Sequence, residues 1–370
     1  MNLFPLLDPI PLPAPVWLFK ALHILTLTLH FLAVKMFLGG LFLATVFSFL
    51  GAKNPLYRSA AEVLARRLPL VMTYVINLGV PPLLFAQVIY GPALYTSSVL
   101  IGAYWLSVVA LLMACYWFLY GFSDGVALGR SVWWKGLLAW FLAACISRIL
   151  SINMTLMINP EVWNGMYSLS PIGGRLPPYD PLLMPRWLFM FAGAGWVTGL
   201  WLIWIAGRKT VAVPLNQYLS GLGGRLAAFM ILLQAILYNQ ILSLQPKVVS
   251  EGIAANAFIK GDSVAWTVTA VVIFLFALWA AFKKPCNYLT GYLGALIAVV
   301  SIASWTILRD AIRDLTLLSK GFDIWHHEQV MTNWQVVGVF FVTLLLGLWA
   351  LVWLISVMMR AKPVAEGGLS

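Results

Sequence analysis

Between Val16 and Leu50 the chain carries no charge except Lys20 and Lys35. An apolar run of that length exceeds what one bilayer crossing needs, and a soluble domain has no way to bury it. Similar runs recur to the end of the sequence. Read as spans, they predict an all-α, polytopic transmembrane helix bundle of about nine helices, near 16–50, 69–93, 97–121, 134–158, 186–207, 222–244, 264–282, 288–308 and 332–359, within one integral domain over 1–370. The first run is long enough that its start, after Pro13-Ala14-Pro15, is expected to project above the hydrocarbon. Asp8 and the early prolines replace a basic signal-peptide start, so the first helix is expected to stay in the chain.

Composition agrees. Apolar residues make up 62% of the chain, charged residues 9%, and the mean hydropathy is +0.91. A globular surface needs roughly a quarter of its residues charged, which excludes a water-soluble fold. The net charge of +11 is spread singly at the ends of apolar runs, a pattern that orients a protein in the bilayer and argues against nucleic acid. One set of loops holds about thirteen Lys and Arg, from Lys53, Arg58, Arg66 and Arg67 to Arg360 and Lys362, and the opposite set about seven with most of the acids. The N-terminus is therefore expected outside and the C-terminus inside. Cys115, Cys145 and Cys286 lack the spacing of a disulfide framework, a zinc ribbon or a covalent c-type haem, and read as small apolar filler.

An ionisable residue inside the bilayer is costly and marks a candidate site. His23 and His30 are seven residues apart, so they share a helix face with about 10 Å between them along the axis. That spacing prevents both from ligating one haem, but either suits an axial position, and His326 or His327, before the last span, is a second ligand candidate. The bland alternative is that each imidazole bonds a carbonyl or hydroxyl across the bundle. Lys35 is a partner for a propionate or quinone oxygen, or a snorkelling cation. Arg148 needs an acceptor deep in the fourth span: a cofactor carboxylate, a quinone oxygen, or carbonyls freed by a break at Pro81-Pro82. Gln87, Tyr90, Gln234, Tyr238, Asn239 and Gln240 suit a quinone head group or, more commonly, interhelical hydrogen bonds. The stretch from Arg309 to Glu328 has helical charge spacing and reads as an amphipathic surface helix, a docking face for a partner or simply a solvated one. On this reading every Asp and Glu falls in loops, tails or span ends. No strong internal repeat suggests an inverted-repeat transporter.

Four stretches in chain order carry a resemblance: "HFLAVKMFLGGLFLA" from His30, "LGVPPLLFAQVIYG", "NMTLMINPEVW" and "AGAGWVTGLWL". Over about residues 16–210 the chain resembles subunit I of cytochrome bd-type quinol oxidases. The resemblance implies a membrane subunit of a respiratory electron-transfer complex in a bacterial inner membrane, with His30 as a ligand of b-type haem, quinone as redox partner, and other subunits including a cytochrome. The chain departs from that family at Met190, where the family has a His. It also lacks the membrane glutamates in "TSSVLIGAYWLSVVALLMAC" and the Gly-Arg-Gln-Pro-Trp quinol signature. Met also ligates haem iron. These departures imply that the chain does not reduce oxygen alone; the alternative function is a haem-free anchor or assembly subunit.

Overall fold

The computed structural model describes residues 4–5, 11–283, 285–325 and 330–360, and within the last range nothing is said of the side chains at 348, 351, 352 and 354–360. Among the described residues the chain is helical without strands, apart from an isolated bridge between Leu12 and Val330. The main helices are α1 (Val16–Leu50), α2 (Pro55–Ala65), α3 (Leu68–Leu100), α4 (Gly102–Ala127), α5 (Trp133–Leu156), α6 (Trp163–Leu169), α7 (Leu183–Ala206), α8 (Val213–Ser243), α9 (Lys247–Ala255), α10 (Ala257–Phe282), α11 (Tyr288–Ser319) and α12 (Trp334–Arg360). Eight stretches, those containing α1, α3, α4, α5, α7, α8, α10 and α11, are long and apolar enough to span a membrane. These bear out an all-α polytopic bundle. α12 adds a further apolar stretch over Trp334–Gly347.

Local chemistry sets the ends. Extended Pro15 starts α1. Asn54 accepts from the Leu56 N–H to cap α2 (2.9 Å), which begins on Pro55 and buries Ala60, Ala61, Leu64 and Ala65. Asn256 and Asn287 cap α10 and α11 in the same way. The spanning helices are apolar on all sides, as helices between lipid and protein must be. α4 shows this most plainly, with Leu106, Val109, Met113 and Trp117 exposed on its outer face.

Small residues decide which helices touch, because between apolar helices in lipid only close packing and polar contacts favour association. A Cβ on Gly199 of α7 would meet the Gly223 carbonyl oxygen of α8 at 2.5 Å, and one on Gly39 of α1 would strike Ala194 and Thr198 of α7. Only glycine permits these approaches. α1 is the central helix, packed against α2, α3, α5, α7 and α11.

Two sequence expectations are corrected here. α3 runs unbroken through Pro81 and Pro82, and its departure from helical geometry is at Tyr90 (φ −116°, ψ 19°), two residues before Pro92. Pro92 removes the hydrogen bond to the Val88 carbonyl and crowds it, so the third proline makes the kink. α11 continues eleven residues beyond the expected end at 308, to Ser319, and Asp310 and Arg313 within that extension are buried. The spacing that suggested a surface helix turns its charges into the bundle instead. His326, His327 and Glu328 lie outside the described residues.

Candidate functional site

Both membrane histidines of α1 face α3. His23 Nδ1 lies 2.9 Å from the Pro82 carbonyl oxygen, and His30 Nδ1 lies 3.0 Å from that of Val75. Since a carbonyl only accepts, each Nδ1 carries the proton in these bonds, leaving Nε2 as the free nitrogen of a neutral ring. The histidines thus tie α1 to the proline-bearing part of α3, as the bland reading expects.

Their free nitrogens face different surroundings. His23 is 3% exposed, and its Nε2 has no hydrogen-bond partner and stands 3.8 Å from Asp310 Oδ1. His30 is half-buried, lies against Gly79, and makes no Nε2 hydrogen bond to a described residue. A ring anchored through Nδ1–H to a carbonyl, with Nε2 open, is the arrangement that prepares an imidazole for iron. His30 therefore fits an axial haem ligand, whereas a metal at His23 would have to displace the Asp310 side of the ring.

A buried ionic cluster surrounds His23 where α1 begins. Lys20 pairs with Asp310 and with Asp314 (2.6 Å), and donates to the Tyr90 hydroxyl (2.8 Å). The Tyr90 oxygen is 2.9 Å from Asp310 Oδ1 and 2.8 Å from Asp314 Oδ1, one of which takes its proton at a time. Arg313 lies 3.5 Å from Asp310 Oδ1, with its guanidinium 4.9 Å from the Tyr90 ring centroid. The kink in α3 places that hydroxyl between the two carboxylates. Asp310 and Asp314 lie in the last third of α11, toward the end of a span as expected, but are turned into the bundle, and Asp262 in the first two turns of α10 is likewise engaged, by Ser304 Oγ (3.1 Å). Sequence reasoning passed over Lys20 and Asp310 as members of one site. The available signal was Lys20 inside an apolar run with no neighbouring acid.

The other candidates are scattered. Lys35 is 1% exposed, with its ammonium 5.6 Å from the Trp196 ring and beside Gly193 of α7, so it does not snorkel. Arg148 stacks at 5.4 Å from the Trp187 ring, with Nη1 buried and lacking a hydrogen bond. Met190 is packed against the apolar core that α7 shares with α8, α10, α11 and, through Leu27 and Phe31, α1. α7 meets α1 along Lys35 and Gly39, about 140–180° around α1 from His30 at 100° per residue. The structure therefore does not bring Met190 and His30 together as two ligands of one iron. Gln234 accepts from Trp196 Nε1 (2.6 Å) and donates to the Phe189 carbonyl (3.0 Å), and Tyr238 bonds Ser263, so both serve helix contacts. Among the described residues Gln87 and Gln240 make no interhelical hydrogen bond, and Asn239 bonds within its own helix. Among the described residues no group of three or more His, Cys, Asp or Glu is placed to hold a metal ion. No protein-family model matches the chain, and no curated protein is significantly similar to it.

Proposed function

We propose that the chain is the membrane subunit of a respiratory electron-transfer complex in a bacterial inner membrane, passing electrons between quinone and a partner cytochrome through b-type haem held by His30. The observation that carries this reading is the His30 ring, fixed by the Val75 carbonyl with Nε2 open in an apolar setting. Bound there, haem would supply one-electron redox chemistry. The chain's own part is to orient the imidazole through Val75 and to seat the ring against Gly79, where a side chain would strike it. Met190, packed against the core of α7, is not among the residues that would hold the group with His30.

A partner cytochrome docks elsewhere than on Arg309 and Arg313, because Arg313 is buried and Arg309 partly so. A haem-free anchor is the second reading, favoured by the complete structural role that each histidine already has in bonding α3. A reduced-minus-oxidised spectrum of the purified protein separates the two. The expected result is an α-band that His30→Ala removes and His326→Ala retains; absence of the band in the unaltered protein overturns the haem reading.

A further inference from the structure

A cavity of about 280 Å³ lies where α5 ends and α7 begins, at the end of the bundle where Phe4 packs edge-on against Trp163 of α6. Ile152, Leu156 and Leu183 give it apolar walls, and Pro177, Pro178 and Pro181 line it with backbone of fixed φ, so the hollow is held open by stiff chain. Four polar side chains reach it: Thr155, Asn159, Glu161 and Asp180. Asn159 is already engaged, donating from Nδ2 to Asp180 Oδ2 (2.8 Å) and the Thr155 carbonyl (3.1 Å) and accepting from Lys320 at Oδ1 (3.2 Å). Asp180 Oδ1 accepts the Leu182 N–H (2.7 Å). Each Asp180 oxygen therefore keeps a lone pair for a donor from the cavity. Thr155 stands apart from the other buried helical threonines. Thr28, Thr45, Thr306 and Thr316 turn their hydroxyls to the carbonyl four residues back at 2.7–2.8 Å, whereas the Thr155 hydroxyl, on a residue 5% exposed, makes no hydrogen bond among the described residues.

A buried hydroxyl without a partner is costly, and here the helix offers it a carbonyl that it does not take. We infer that the cavity holds the ring of a quinol, a neutral aromatic diol, with Asp180 and Thr155 as its hydrogen-bond partners. The inference rests on the reading of the chain as a quinone-linked subunit and gives that reading a site and a redox form. A carboxylate can only accept, and a quinol carries two O–H donors where a quinone carries none. Lys320, which pairs with Glu161 at 2.7 Å, and Arg186, which Asp180 attracts, make a cation the poorer fit. The volume is just under the roughly 300 Å³ at which small-molecule pockets begin, which suits one substituted ring with its tail left outside.

The test is calorimetric titration of the full chain in phosphatidylcholine nanodiscs, with duroquinol under anaerobic reducing conditions and with duroquinone in air, each corrected for protein-free nanodiscs. Duroquinol is expected to bind about tenfold or more tighter than duroquinone, the difference that one hydrogen bond to a charged acceptor supplies. T155V keeps the side-chain shape and should weaken duroquinol about tenfold without lowering the Tm, because the hydroxyl bonds nothing in the protein; a structural role for that hydroxyl would lower the Tm instead. D180N should weaken duroquinol by a similar factor. I152W, which fills the cavity, should abolish binding of both forms, and R66Q, at an exposed pair with Glu62, should bind as the unaltered protein does. No duroquinol binding beyond the lipid, equal affinity for the two forms, or an affinity that T155V and I152W leave unchanged overturns the site. Quinol binding that is lost in T155V from a protein with no α-band would keep the site and remove the haem reading. An α-band lost in His30→Ala, in a protein whose quinol binding ignores the cavity substitutions, would keep the haem reading and remove the site.

Discussion

Replacing Lys20 by Met tests whether the ionic cluster is a structural commitment. The Lys20 side chain is 6% exposed, and its partners Asp310 and Asp314 are 2% and 12% exposed. Removing one member of a buried pair leaves the other charge uncompensated and typically costs about 3–5 kcal/mol. With Lys20 gone, Arg313 faces two carboxylates in place of one, so K20M is expected to cost about that much. K20M/D314N restores one cation to one carboxylate, and should recover at least about 1 kcal/mol as positive coupling between the two sites. The measurement is reversible unfolding in mixed micelles, followed by Trp fluorescence across a denaturing-detergent titration for the four members of the cycle. A K20M cost under about 1 kcal/mol, or a double variant no better than the sum of its singles, would refute the claim that these charges are mutually dependent.

Two further outcomes follow from the fold and the charge pattern. In a chain freed of its native cysteines, Ala52→Cys beside Lys53 should resist an impermeant thiol reagent added from outside, and reaction there would reverse the orientation expected from the Lys and Arg distribution. Gly199→Leu should separate α7 from α8 and cost several kcal/mol, since even a Cβ meets the Gly223 carbonyl, whereas Gly165→Leu, with open space around it, should be close to neutral in the same unfolding assay.

Long apolar runs made the helices legible in the sequence, since that signal is local. Val16–Leu50 is the same segment in the sequence and in the fold. The ionic cluster was not legible for the opposite reason. Arg309, Asp310, Arg313 and Asp314 have the same spacing on a solvated helix as on a buried one, and their decisive partner, Lys20, is 294 residues from Asp314. Pro81 and Pro82 misled in a similar way. A proline reports a missing N–H, but the neighbouring helices decide whether the backbone bends there, and here the bend is at Tyr90. His30 was found as a candidate because its helix context is local; the Val75 carbonyl that fixes its ring was not, since it depends on how α3 packs.

The distance between Lys20 and its carboxylates also orders events during biogenesis. α1 leaves the ribosome before the other helices described here, carrying Lys20, His23 and Lys35, all buried in the finished bundle. α11 follows almost three hundred residues later, a delay of about 15–60 s at 5–20 residues per second. During that interval a membrane helix must wait with its cation unmatched, next to α3, whose Tyr90 hydroxyl is already present and whose Pro82 and Val75 carbonyls already accept the two imidazoles. The early α1–α3 pair therefore acts as a holding station, and a nascent chain arrested before α11 should expose Lys20 to the insertion machinery, where a crosslinker attached at that position would trap whichever component shelters it.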